Sequence, residues 1–175
     1  MILKGFKEKS NKKYIIKCAQ SRVIAPNANR IKHVGVLVNS HEFSDPEWIN
    51  SLSEQLKINA KDLKILSLFN GKKNETSAYN HIFSEKELAW KGQFKSQTIK
   101  DFLDNKFDLL INFYETDSLA LQVVSASANA DLKVGLHNAN PDVNDLIIDI
   151  TIKDKNIFKT EIIKYLNILN KLSNE

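Results

Sequence analysis

The sequence predicts a single three-layer α/β domain of the Rossmann-like class, with a mostly parallel sheet of about five strands. Three observations carry that reading. Short runs of β-branched and aliphatic residues, apolar throughout, alternate with stretches of helical period. Strands of that composition are buried on both faces, which requires helices on either side of a parallel sheet. The length of 175 residues suits one domain with a sizeable core.

Residues 1–30 read as a basic N-terminal arm and residues 31–175 as the α/β domain. Within the arm, Ser10 to Ser21 is helix-compatible, with Tyr14, Ile15 and Cys18 on one side and Lys9, Lys13 and Lys17 stacked at i, i+4. The segment from Ala25 to Asn29 reads as a turn or short linker. His33 to Val38 is the first predicted strand. Ser44 or Asp45 can cap the following helix, with Pro46 favourable at its first position and an apolar stripe through Trp48, Ile49, Leu52 and Leu56. Leu63 to Phe69 is the second strand, stopped by Asn70-Gly71, and residues 72–75 read as exposed loop. Leu88 to Phe94 suggests a short edge strand. Ser96 can cap a helix through Ile99, Phe102 and Leu103, and Phe107 to Phe113 is a third strand with an apolar centre. Thr116 or Asp117 then caps a helix from Leu119 to Ala130, rich in small residues that let a helix lie close on a sheet. Leu132 to Leu136 and Asp145 to Ile150 are the fourth and fifth strands, and an amphipathic helix from Ile157 to Leu172 closes the chain.

Right-handed crossovers place all the strands' C-terminal ends on one edge, where such folds hold ligands. The residues that follow the strands there, Asn39, Ser40, His41, Tyr114, Glu115 and His137, form the candidate ligand crevice. Known phosphate cradles do not fit them. Asn39-Ser40-His41 has no glycine for a dinucleotide turn, and Gly71-Lys72-Lys73 lacks the first glycine and the Ser/Thr of a P-loop. His33, His41, His81 and His137 show no metal-ligand spacing, so no metal and no cofactor is expected. A Ser40–His137–Asp117 constellation lacks the elbow that would present the serine, and a His41-Glu42 acid/base pair is no more than a polar strand end. Cys18, the lone cysteine, reads as a small apolar residue and excludes an internal disulfide.

Charge is the stronger signal. Residues 1–33 hold nine Lys or Arg and one acid, Glu8, which leaves 16 basic and 20 acidic side chains for residues 34–175. A basic arm on a mildly acidic body suits a polyanion partner. The expected function is non-enzymatic RNA binding, in association with the ribosome or another ribonucleoprotein and its proteins. Lys4, Lys7, Lys9, Lys12, Lys13, Lys17, Arg22, Arg30 and Lys32 would meet phosphates, and Phe6 and Tyr14 would stack on unpaired bases. The alternative is a small-ligand or nucleotide-binding domain, including a degenerate transferase, that uses the strand-end crevice. No apolar run is long enough to span a bilayer, and lysines interrupt any signal-peptide core, so the expected location is the cytoplasm. Ile2, Leu3 and Phe6 among lysines allow at most weak contact with a membrane surface.

Two resemblances complete the reading. FDLLINFYETDSLALQVVSASANADLKVGL, residues 107–136, resembles the strand–helix–strand of the N-terminal half of heptosyltransferase-type glycosyltransferases. The glycine-rich turn those enzymes carry after their first strand is missing here, so the resemblance implies topology and not transfer chemistry. Over its full length the chain resembles an uncharacterised Bacteroidota family, through KKYI at 12–15, LAWKG at 88–92, FDLLINFYETDSLALQ at 107–122 and NDLIIDI at 144–150. That family implies no activity and no site residues.

Overall fold

A computed structural model describes residues 2–24, 29–72 and 74–172. The elements run α1 (Ile2–Ser21), β1 (Val34–Asn39), α2 (Pro46–Gln55), β2 (Leu63–Leu68), β3 (Ile82–Phe83), α3 (Gln97–Leu103), β4 (Lys106–Phe113), α4 (Leu119–Ser127), β5 (Asn129–Gly135), β6 (Leu146–Ile147) and α5 (Lys155–Ile168). The six strands form one sheet of order β3-β2-β1-β4-β5-β6, with every pairing parallel. This is the doubly wound order, in which the chain runs outward from β1 to one edge and then returns to build the other half.

Two-residue alternation sorts the strands into two cores. Val34, Val36 and Val38, with Leu109, Ile111, Phe113 and Val134, pack against α2 and α5. Leu37, Leu66, Leu68 and Leu110 pack on the opposite face against α3, α4 and Ile15 of α1. The first core is closed by aromatic contacts: Phe113 meets Phe43, Trp48 and Phe158 with ring centroids 4.9, 5.0 and 5.1 Å apart.

Several boundaries differ from the sequence expectation. The first helix starts at Ile2, not Ser10, and spans 20 residues. The segment from Leu88 to Phe94 is not an edge strand but a tight turn closed by a single antiparallel bridge between those residues. The edge strand is Ile82–Phe83, whose two residues carry no periodicity to read. β5 begins at Asn129, so the helix before it ends at Ser127, and the expected fifth strand shrinks to Leu146–Ile147. Asp45 does cap α2, its side chain accepting from the Trp48 N–H at 3.0 Å. α4 is capped by Ser118, and not by Thr116 or Asp117, which are bonded elsewhere. The expected turn at residues 25–28, and Lys73 of the expected loop, lie outside the described residues.

The main departure is that the N-terminal segment is docked. Lys7, Asn11, Tyr14, Ile15, Cys18 and Arg22 recur at helical spacing on the less exposed side of α1 and its end. Asn11 is fully buried and its amide is satisfied: it donates to the carbonyls of Ala89 (2.9 Å) and Lys7 (3.1 Å) and accepts from the Gly92 N–H (2.8 Å). Tyr14 reaches Ser127 at the end of α4, 3.1 Å between hydroxyls. Arg22 pairs with Asp145 and donates to the carbonyls of Ala130 (2.9 Å) and Asp131 (3.3 Å).

Gly92 is indispensable to this docking. Its φ of +75° is a left-handed conformation, and the Tyr14 ring lies where a Cβ would stand. Gly5, on the same helix, has nothing near its Cβ position. Gly92→Ala should therefore cost about 1–3 kcal/mol through backbone strain and displacement of Tyr14. Gly5→Ala should instead be neutral or stabilise by up to about 1 kcal/mol. Thermal melts of the two variants check both signs.

Candidate functional site

The switch point of a doubly wound sheet, here between the C-terminal ends of β1 and β4, is where the fold ordinarily holds a ligand. In this chain Glu42 spans it. The Glu42 carboxylate accepts from the backbone N–H of Glu115 (2.9 Å) and from the Thr116 hydroxyl, which ties the loop after β1 to the loop after β4. Burial among these groups pushes its carboxyl above the ordinary range. Glu115 in turn accepts from the Ile152 N–H at 2.7 Å and tethers the segment before α5.

The residues expected to form a crevice are all at this edge, but they do not converge. Asn39 donates to Thr116 Oγ1 (3.2 Å) and accepts from the His41 N–H (3.0 Å), and Ser40 bonds the hydroxyls of Ser67 and Ser77. The exposed His41 ring stacks on Phe69, 5.5 Å between centroids. Tyr114 is buried, which raises its phenol above the usual value. His137 pairs with Asp149, and Asp117 with Gln122, so Ser40, His137 and Asp117 make no triad. Among the described residues no group of three or more His, Cys, Asp or Glu is placed to hold a metal ion.

The open space lies one strand over. A cleft of about 560 Å³ opens beyond the ends of β4 and β5, with α1 as its outer wall. Lys12, Ile15 and Ile16 line it from the helix, residues 114–117 and Gln122 from the β4–α4 region, and residues 138–142 from the loop after β5. Its polar wall is a continuous chain: Asn140 Nδ2 donates to Gln122 Oε1 (2.8 Å), Gln122 donates to Asp117, and Asn140 Oδ1 accepts from the Asp142 N–H (2.9 Å). Behind it Asn144 donates to the Asn140 carbonyl (2.9 Å) and accepts from buried Asn112 (2.7 Å), which also donates to Ser125 (2.8 Å). Gly135 is what lets this loop fold over the end of β5, since a Cβ there would stand 2.5 Å from Ala139 Cβ and 2.8 Å from Asn144 Oδ1. Tyr114 and Glu115, two of the expected crevice residues, line this cleft, and the sequence hinted at the rest of its wall through the polar run His137-Asn-Ala-Asn-Pro-Asp142. Its partners come from α4 and α1, which no local spacing announces.

The cationic residues divide in two. Lys4, Lys9, Lys13 and Lys17 are exposed, and none has a salt bridge among the described residues. Lys12 bridges Glu8 at 2.7 Å, and Lys7 is half-buried. Arg30 and Lys32 are exposed beyond the helix. Phe6 is exposed, whereas Tyr14 is packed on Gly92 and Arg22 is committed to Asp145. Tyr14, one of the two expected stacking aromatics, and Arg22, one of the expected arm cations, thus serve the docking of α1.

Sequence reading passed over Lys133 on β5. It is 2% exposed and has no salt bridge among the described residues. Its ammonium donates to the carbonyls of Ser125 and Ala126 at the C-terminus of α4, where the helix dipole favours a cation. Burial lowers its pKa to about 8, and nearby Arg22 adds to the effect.

These features define a doubly wound α/β protein whose open cleft is displaced from the switch point and walled by a lysine-bearing helix. The chain belongs to a family of unknown function (DUF6913), whose model matches residues 7–169 and so spans most of α1 together with the whole sheet. No curated protein and no solved structure matches the chain.

Because the folded pKa of Lys133 lies near 8 and its ordinary value near 10.5, the unfolded chain binds the extra proton between those limits. Stability contributed by this site therefore rises with pH across that window and is lowest below pH 8. The shift corresponds to something on the order of 3 kcal/mol. Lys133→Met should abolish this component, so the stability of wild type relative to the variant should rise by up to about 3 kcal/mol as the pH goes from 8 to above 10. Urea titrations across that range measure it.

Proposed function

We propose that this protein is a non-enzymatic RNA-binding protein that meets ribosomal RNA or another large ribonucleoprotein through α1. The observation that carries the reading is the ridge Lys9–Lys13–Lys17, three exposed ammonium groups without a salt bridge among the described residues, on a helix fixed to the body. Lysines at i, i+4 rise about 6 Å per step. Like charges stacked so closely destabilise an isolated helix. Such a ridge is relieved by a polyanion, and release of condensed counterions supplies the affinity without sequence readout. Lys4 and the exposed Phe6 extend the same surface toward the helix N-terminus.

A rigid ridge also changes which experiment is informative. Deleting residues 1–22 would remove Asn11, Ile15 and Arg22, and with them the cover of α4. Point substitutions avoid that. Lys9→Gln, Lys13→Gln and Lys17→Gln combined should leave the melting temperature near wild type. They should lower the slope of log affinity for an oligouridylate against log salt by about 2, at roughly 0.7 per lost single-strand phosphate contact. Co-sedimentation with ribosomes at low salt should be lost in parallel. An unchanged slope overturns the reading, as does binding to anionic vesicles without binding to RNA, since exposed Ile2 and Leu3 flank the same lysines.

The cytoplasm is the compartment this reading requires. The likeness of residues 107–136 to glycosyltransferases falls on β4–α4–β5, and Glu42 across the switch point argues against transfer chemistry there.

A further inference from the structure

We propose that the cleft between α1 and the ends of β4 and β5 takes one unstacked guanine base of a bound single strand; this rests on the RNA-binding reading above. The cleft's volume of about 560 Å³ lies within the range of sites for small organic groups. Its position suits a strand on the lysine ridge. Lys12 and Ile16 line the cleft, and each stands three residues, less than one helical turn, from Lys9 or Lys13 on the same helix. A strand whose phosphates follow the ridge therefore passes the mouth of the cleft.

The lining decides what enters. Glu115, Asp117 and Asp142 border the cleft without a salt bridge among the described residues, and Lys12 at the rim is already bridged to Glu8. A phosphate is repelled there, which leaves the base as the group that turns inward. Apolar Ile16 and Pro141 offer walls for a flat ring.

Hydrogen bonding then selects among bases. Among the described residues Asp142 uses only its backbone N–H within the wall, leaving its carboxylate to accept, and Asp117 bonds Gln122 through one oxygen and has the other available. A carboxylate pairs in two-point fashion with adjacent donors, and guanine alone presents two neighbouring donors, N1–H and N2–H, on its pairing edge. Uracil sets acceptors on both sides of its single donor, and cytosine and adenine set an acceptor beside theirs. The amides of the wall are fixed by Asn144 and buried Asn112, and through Asn140 and Gln122 they hold the Asp117 carboxylate and the Asp142 backbone in place before any ligand arrives.

The test uses the full-length protein and two labelled oligonucleotides of about twelve nucleotides. One is all uridine, and the other carries a single central guanosine. Fluorescence anisotropy at low salt should show the guanosine oligonucleotide binding about tenfold more tightly, the discrimination of one good two-point contact. The Asp117→Asn/Asp142→Asn double variant should bring the ratio to about one and leave the salt slope unchanged. Asp142→Asn alone, at an exposed side chain with no salt bridge among the described residues, keeps the fold and should reduce the ratio at least severalfold. Equal binding of the two oligonucleotides by wild type overturns the guanine site while the salt slope still supports RNA binding. A preference that survives both variants also overturns it. Absence of salt-sensitive binding to either oligonucleotide overturns both readings together.

Discussion

Helix α4 has to be covered on more than one side, and the rest of the architecture around α1 depends on that constraint. Its sequence, LALQVVSAS, offers one long polar side chain, Gln122, and buries Ala120, Leu121, Val123, Val124 and Ser125. The sheet covers one face only. α1 supplies the second cover through Ile15 and Tyr14. Once that helix is fixed, its 3.6-residue period assigns every other residue on it. The positions of Asn11 and Cys18 face inward, those of Lys9, Lys13 and Lys17 face solvent, and those of Lys12 and Ile16 fall at the border and become a wall of the cleft.

The docking is polar as well as apolar, and the polar part sets where the helix sits. Asn11 uses its whole amide on two carbonyls and one N–H, which holds α1 at one level against the turn at residues 89–92. At the other end Asp145 accepts from both the Arg22 guanidinium and the Lys133 N–H, so one carboxylate joins α1 to β5. Arg22 and Lys133 put two cations close together, with Asp145 bonded to the guanidinium of one and the backbone N–H of the other. Buried charge of that kind is a poor source of stability. Its effect is directional: sliding α1 by one turn would strand Asn11 and Arg22 without partners, a cost that apolar contacts alone would not impose.

What the sequence made legible follows from how local each signal is. β1 and β4 are apolar on both faces, so Val34 to Val38 and Phe107 to Phe113 announce buried parallel strands without help from elsewhere. β3 and β6 have two residues each and are strands only because β2 and β5 hold them. The turn at residues 88–94 imitates a strand because Leu88 and Phe94 are both buried, yet the reversal between them depends on positive φ at Lys91 and Gly92. The docking of α1 was hidden for a different reason. Ile2, Leu3, Phe6 and Ile16 are exposed, while the fully buried side chain at its centre is an asparagine. The pattern shows Tyr14, Ile15 and Cys18 on one side but not Asn11, because the turn that makes Asn11 cheap to bury lies about eighty positions away.

The same long-range dependence relocates the ligand edge of the fold. A doubly wound sheet opens at the switch point when the turn after β1 is small enough for a ligand to approach the backbone. Here that turn carries Glu42, whose carboxylate takes the N–H and hydroxyl donors of the next loop that a ligand would otherwise meet. A cleft lies instead over β4 and β5, where Gly135 admits a loop of amides and α1 closes the outer side. Two regions of opposite character therefore share one helix. The ridge attracts anions by unneutralised ammonium groups, and the cleft beside it rejects them by carboxylates while offering acceptors to a neutral donor. A partner that carries regular negative charge and donor-bearing rings satisfies both at once, and a free anion or an apolar ligand satisfies only one.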